Sequence, residues 1–121
     1  MEIKETGFLL RVENYEECVR FYSEILGFPI RYQKEGLTNF QFGNAYLLLE
    51  KAWEPSPKEI RARENPPYIL RINLDNVAEM IQKVKSKGVG VQYFDFDWGE
   101  VGNFRDPGGN LVEFCKWKVK A

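Results

Sequence analysis

The chain has 121 residues, 44% of them hydrophobic and 15% aromatic, with 17 Lys and Arg against 18 Asp and Glu and no histidine. One compact domain with a real core is the default at this length. A formal net charge of -1 gives no basic footprint for nucleic acid, no apolar run nears the roughly 20 residues that span a bilayer, and 1–5 lack the apolar stretch of a secretory signal, so a cytoplasmic protein is expected.

Residues 8–12 alternate as a strand. Asn14 follows as a helix cap with Glu17 three residues on, and Tyr15, Cys18, Val19, Tyr22 and Ile25 then recur at helical steps on one apolar face. Gly27 suits a left-handed helix end, 28–32 read as a strand, and Leu37–Phe42, a Gly43-Asn44 turn and Ala45–Lys51 read as a hairpin. The proline-rich, alternately charged 54–67 reads as an exposed connector.

The order then repeats. Residues 70–76 lie over 8–14, Asn76 and Glu79 match Asn14 and Glu17, and Val77, Met80, Ile81 and Val84 form a second apolar face ending at Gly88. Strands at 89–93, 101–105 and Leu111–Trp117 complete it, the last two joined by the turn-rich 106–110. Each half reads β-α-β-β-β: module one at 1–53, the connector at 54–67 and module two at 68–121, together a single α+β domain at 1–121. Cys18 and Cys115, far apart and without a CxxC, read as buried free thiols.

Two tandem βαβββ modules, Phe21-Tyr22 with Leu26-Gly27-Phe28, and the run from Arg105 to Glu113 through Asp106-Pro107-Gly108-Gly109-Asn110 resemble the vicinal-oxygen-chelate superfamily of glyoxalase I, bleomycin-resistance proteins and extradiol dioxygenases. The resemblance covers nearly the whole chain. It implies a curved, mostly antiparallel sheet around a cavity, with helices on the convex side and ligands on the concave side. Alternation puts Phe8, Leu10 and Val12, and Leu70, Ile72 and Leu74, under the helices. The same parity turns Gly7, Leu9 and Arg11, Ile69, Arg71 and Asn73, Tyr46, Leu48 and Glu50, and Leu111, Glu113, Cys115 and Trp117 towards the cavity.

In metal-dependent relatives the resemblance implies ligands, typically histidine, glutamine and glutamate, at positions that correspond here to Gly7, Leu48, Ile69 and Glu113. Only Glu113 keeps ligand chemistry, and the chain has no imidazole. A weak oxygen-only site from Glu50 and Glu113 is the alternative, with Arg71 on the same face opposing it. No cofactor and no catalytic metal are expected.

What remains is an organic-ligand pocket with Arg71 and Glu113 facing inward and Tyr46, Tyr93, Trp98, Phe104 and Trp117 along its walls. Arg71 suits a carboxylate or phosphate and Glu113 a cation or hydrogen donor, unless the two only satisfy each other. Trp98 reads as part of an irregular loop, and Trp53 as a cover for the cavity mouth or a subunit contact. The leading expectation is a metal-independent protein of the bleomycin-resistance type that binds or sequesters a small molecule. One alternative is a glyoxalase-like lyase or isomerase using Glu113 with an atypical oxygen-ligated metal; another is a non-catalytic dimer scaffold. A homodimer is implied by the resemblance.

Overall fold

Strand alternation fixes the first unit. In the computed structural model, which describes residues 1–52 and 68–118, β1 (Gly7–Val12) buries Leu10 and Val12 and leaves Leu9 and Arg11 exposed. Trp53, the connector 54–67 and 119–121 lie outside the described residues. The helix α1 (Tyr15–Arg20) runs into a π-helical turn at Phe21–Ile25, where the Leu26 amide donates to the Phe21 carbonyl at 3.0 Å. That wider turn leaves Phe21 and Tyr22, adjacent in sequence, both buried, while Val19 is only half-buried. Strands β2 (Ile30–Lys34), β3 (Leu37–Phe42) and β4 (Ala45–Lys51) follow, and the sheet order is β1-β4-β3-β2 with β1 and β4 parallel.

The second unit repeats this topology with β5 (Leu70–Asn73), α2 (Val77–Ser86), β6 (Gln92–Phe96), β7 (Gly99–Arg105) and β8 (Leu111–Trp117) in the order β5-β8-β7-β6. Both units are βαβββ and the fold is α+β, in two separate four-stranded sheets. The chain divides between them as Met1–Arg61 and Ala62–Ala121.

Each sheet has a helix-bearing face and an opposite one. In β7 the distinction is sharp at Gly102, where a Cβ would come within 2.6 Å of the Ile81 side chain of α2. A side chain here would push the helix off the sheet, so glycine permits the close approach. Val112 and Phe114 of β8 are buried on that same face, and Leu47 and Leu49 of β4 are their counterparts in the first unit. Both cysteines are buried and free, as the sequence suggests.

The two helix starts differ. Asn76 Oδ1 accepts from the Glu79 amide at 3.0 Å, the expected cap, whereas Asn14 makes no such bond and its Oδ1 lies 3.8 Å from Cys18 Sγ, which donates. Both glutamates reach back to the asparagine amide group, at 3.1 Å for Glu79 and 3.4 Å for Glu17. Replacing Asn76 with alanine is therefore expected to destabilise the fold by about 1 kcal/mol. The same change at Asn14 should cost less, a ranking that urea denaturation of the two variants checks directly.

Candidate functional site

The site is built on the helix-free face of the second unit. Because β5 and β8 are parallel in register, Arg71 stands directly beside Glu113, and β7 sets Asn103 against Glu113 on its other side. The Arg71 Nε donates to Glu113 Oε1 at 2.5 Å. Glu113 is only 3% exposed, whereas the Arg71 side chain is 38% exposed, so the pair joins a sequestered carboxylate to a guanidinium that still reaches solvent. Of the two expectations for this pair, mutual satisfaction is what the geometry realises, although only one edge of the guanidinium is consumed.

Trp98 completes the cluster. The Arg71 guanidinium carbon lies 5.4 Å from the Trp98 ring centroid, a cation-π distance. Trp98 sits in a tight two-residue hairpin turn between β6 and β7, not in an irregular loop, because Phe96 pairs with Gly99 and the Lys118 amide donates to the Trp98 carbonyl at 2.8 Å. Behind it the rings of Phe94, Phe96 and Trp98 form a stacked column, with centroids 5.6 and 5.4 Å apart and interplanar angles of 10° and 9°. All three remain about two-fifths exposed. Phe94 and Phe96 were not among the expected wall residues, though their alternation with Asp95 and Asp97 is the signal that would have found them.

Two of the expected wall residues fall elsewhere. Phe104 is 4% exposed and packs against Phe114 at 5.0 Å, on the helix-bearing face opposite Val112, so it is core. Tyr93 pairs with Gly102 and shares that face. It projects into solvent and donates to Glu100 Oε1 at 2.7 Å; that hydrogen bond, with burial and the charges of Glu100 and Asp95 adding, pushes its pKa up to about 12. The β6–β7 hairpin closes at Phe96 and Gly99, and this register puts Tyr93 beside Gly102 and with it on the helix-bearing face.

Trp117 lies on the face of Arg71 and Glu113, 44% exposed, opposite Gly99. It borders a cleft of about 490 Å³ that is also lined by Asn73, Asp75, Cys115 and Lys116. The Cys115 thiol is pushed above its ordinary pKa by burial, with Arg71 opposing the shift and Glu113 adding to it. It is thus held in the unreactive thiol form.

Tyr46 belongs to the first unit. Its ring covers Gly7, where a Cβ would stand 2.1 Å from the phenol carbons, and Arg31 lies 5.9 Å from the ring while pairing with Glu5 at 3.0 Å. The position corresponding to a β1 metal ligand therefore has no side chain, and an aromatic ring takes its space. Leu48 stands between Leu9 and Asn39, and Ile69, just before β5, is an exposed aliphatic. Glu50 pairs with Arg11 at 3.6 Å, so each carboxylate of the weak oxygen-only alternative is matched to an arginine. Among the described residues no three His, Cys, Asp or Glu side chains are grouped so as to hold a metal ion. The donor set that metal-dependent relatives use does not fit these residues.

Two βαβββ units, each with one helix on one sheet face, define a class of modular fold. The model of the glyoxalase/bleomycin resistance protein/dioxygenase superfamily matches residues 6–114, and the chain belongs to that family. YraH of Bacillus subtilis (strain 168), an uncharacterised protein, is 26% identical over 119 residues, covering 88% of this chain and 93% of its own. Among solved structures, the antibiotic-binding protein TnmS3 from Streptomyces sp. CB03234 aligns with a TM-score of 0.77 at 23% identity, over 98% of this chain and 99% of that one. Lactoylglutathione lyase from Agrobacterium tumefaciens aligns with a TM-score of 0.74 at 21% identity, over 99% and 100%. Likeness at these identities shows the fold alone, and a binder and an enzyme share it. Among the described residues no helix is long and apolar enough to cross a membrane.

Proposed function

We propose that this protein binds or sequesters a small organic molecule without a metal, through the helix-free face of its second unit. The observation that carries this reading is Glu113, the one ligand-type residue left at a metal position, tied to Arg71, which lies over Trp98. A partly exposed guanidinium among exposed aromatic rings is the composition of an organic-ligand site, with apolar surface for affinity and few polar groups for orientation. The likeness to an antibiotic-binding fold supports the same reading. For the lyase alternative, Glu113 Oε1 is taken by Arg71, so Oε2 would be the atom that takes a substrate proton.

We further propose that residues 1–121 act as one domain of two modules joined by 54–67, and that the protein works as a homodimer in the cytoplasm. Two measurements on protein purified without chelator test the functional reading. Elemental analysis is expected to give no stoichiometric Ni, Zn, Mn or Fe, and nuclear magnetic resonance titration with a mixed library of aromatic acids, amines and neutral compounds is expected to move backbone signals around residues 71, 98 and 113. A bound transition metal at one per chain would sink metal independence, and a library without any effect on those signals would sink ligand binding.

A further inference from the structure

The pairing in the second unit discriminates between ligand charges, a choice left open by the sequence. Arg71 donates to Glu113 through Nε alone, and its remaining contact is the face of Trp98. The two terminal nitrogens, which form the end-on edge of the guanidinium, have no protein acceptor among the described residues. That edge presents two parallel N–H donors at fixed spacing, the arrangement that matches the two oxygens of a carboxylate. Glu113 offers a cation nothing comparable, since it is 3% exposed and already carries the arginine. The guanidinium is held on one side by a hydrogen bond and on another by an indole, so little side-chain freedom is left to lose when an anion arrives.

The surroundings limit the anion further. Arg71 alternates with Asn73 along β5, and Glu113 with Cys115 and Trp117 along β8, so Asn73, Cys115 and Trp117, three of the six residues lining the cleft of about 490 Å³, share the face of Arg71, and Leu74, Asp75 and Lys116 complete its lining at the strand ends. Its volume falls in the range of small-ligand pockets, about 300–1,000 Å³. Trp117 gives it an aromatic wall, Asp75 and Lys116 in its lining offset one another in charge, and Glu113 beside Arg71 leaves a single net positive charge at most for the ligand, which suits a monoanion better than a dianion such as a phosphate monoester.

Resting on the small-molecule reading above, we infer that the ligand is a flat aromatic monocarboxylate, its carboxylate on the end-on edge of Arg71 and its ring system in the cleft against Trp117. Glu113 is then a positioning residue: it holds Arg71 by Nε and leaves the other edge turned outward.

The test uses the full chain with three probes that share one ring system: 2-naphthoate, neutral 2-naphthamide and cationic 2-naphthylmethylammonium, titrated by calorimetry. The carboxylate is expected to bind about ten-fold or more tightly than the amide, as a charge-assisted pair requires. Arg71→Lys, which keeps the charge and removes the fork, is expected to abolish most of that preference, read as the ratio of acid to amide affinity within the variant. Equal affinities for acid and amide, or tightest binding of the ammonium probe, would overturn the anionic class and leave small-molecule binding standing. Binding of none of the three would overturn the aromatic monocarboxylate class, while the small-molecule reading stands or falls with the library titration above. A carboxylate preference undiminished in Arg71→Lys would overturn the assignment to Arg71. Should that variant fail to fold, the side-chain Nε–H resonance of Arg71 in the unmodified protein decides: it must move with 2-naphthoate and not with the amide, and any other result counts against the assignment.

Discussion

Replacing Arg71 with alanine is expected to destabilise the fold by about 2–3 kcal/mol, seen as a lower midpoint in urea with little change in slope. The cost arises less from the lost ion pair than from what stays behind, a Glu113 carboxylate that is 3% exposed and has lost its donor. Stranding one partner of a fully buried pair costs about 3–5 kcal/mol, and the lower figure allows for water reaching the 38% exposed Arg71 side of this one. Glu113→Gln should cost less, because the amide oxygen can still accept from Arg71 and no buried charge is created. An Arg71→Ala variant as stable as the unmodified protein would show that Glu113 is rehydrated and the pair is peripheral.

The first unit supplies a natural control. Its β1–β4 register places Leu9 beside Leu48, where β5–β8 places Arg71 beside Glu113, and Asn39 and Asn103 occupy the matching β3 and β7 positions. The same backbone arrangement therefore tolerates an apolar pair. A double replacement, Arg71→Leu with Glu113→Leu, is expected to recover the stability that Arg71→Ala loses, since apolar substitutes for buried ion pairs are commonly neutral or stabilising. Its ligand binding should disappear while its fold remains. An ion pair kept where two leucines suffice for folding is better explained by recognition than by stability, which is the physical basis for placing function in the second unit.

Much of this was legible from alternation alone. Strands β1, β4, β5 and β8 pack beneath a helix on one face, so their apolar positions recur at period two, and the burial of Leu10, Val12, Leu47, Leu49, Leu70 and Val112 follows that pattern. Gly27 and Gly88 end their helices with φ of 74° and 91°, the left-handed geometry expected of them. Edge strands behave differently. Every residue of β6 is exposed, so its pattern does not mark a core face, and its parity comes instead from the hairpin turn and from Gly102 beneath Ile81. Without that register Tyr93 and Phe104 have no face in the sequence, only an aromatic character that suggests a wall, and the Phe94–Phe96 column is not singled out. The joining of Arg71, Glu113 and Trp98 was foreseen only as a neighbourhood. Which edge of the guanidinium is spent depends on side-chain geometry that no spacing encodes.

Tyr22→Ala is expected to have the largest effect on stability of any single change considered, about 3–5 kcal/mol. Tyr22 is fully buried and forms the centre of an aromatic cluster, with its ring 5.2 Å from Phe21, 5.7 Å from Phe28 and 6.0 Å from Phe40. Its removal leaves a cavity that the stiff neighbouring rings cannot close. Because domains of this size have only about 5–15 kcal/mol in total, the loss is large enough to separate one cooperative unit from two. Tyr22 belongs to the first unit, and Trp98 and Trp117 to the second, so in a Trp53→Phe background the indole fluorescence reports the unit that was not mutated. If residues 1–121 are one domain, Tyr22→Ala shifts the fluorescence midpoint in urea as far as it shifts the far-ultraviolet circular dichroism. A fluorescence transition that stays in place while the circular dichroism splits would mean that the two βαβββ units unfold independently, and the single-domain proposal would have to be abandoned. Coincident shifts would instead require that the units be coupled strongly enough for the second not to remain folded once the first has unfolded.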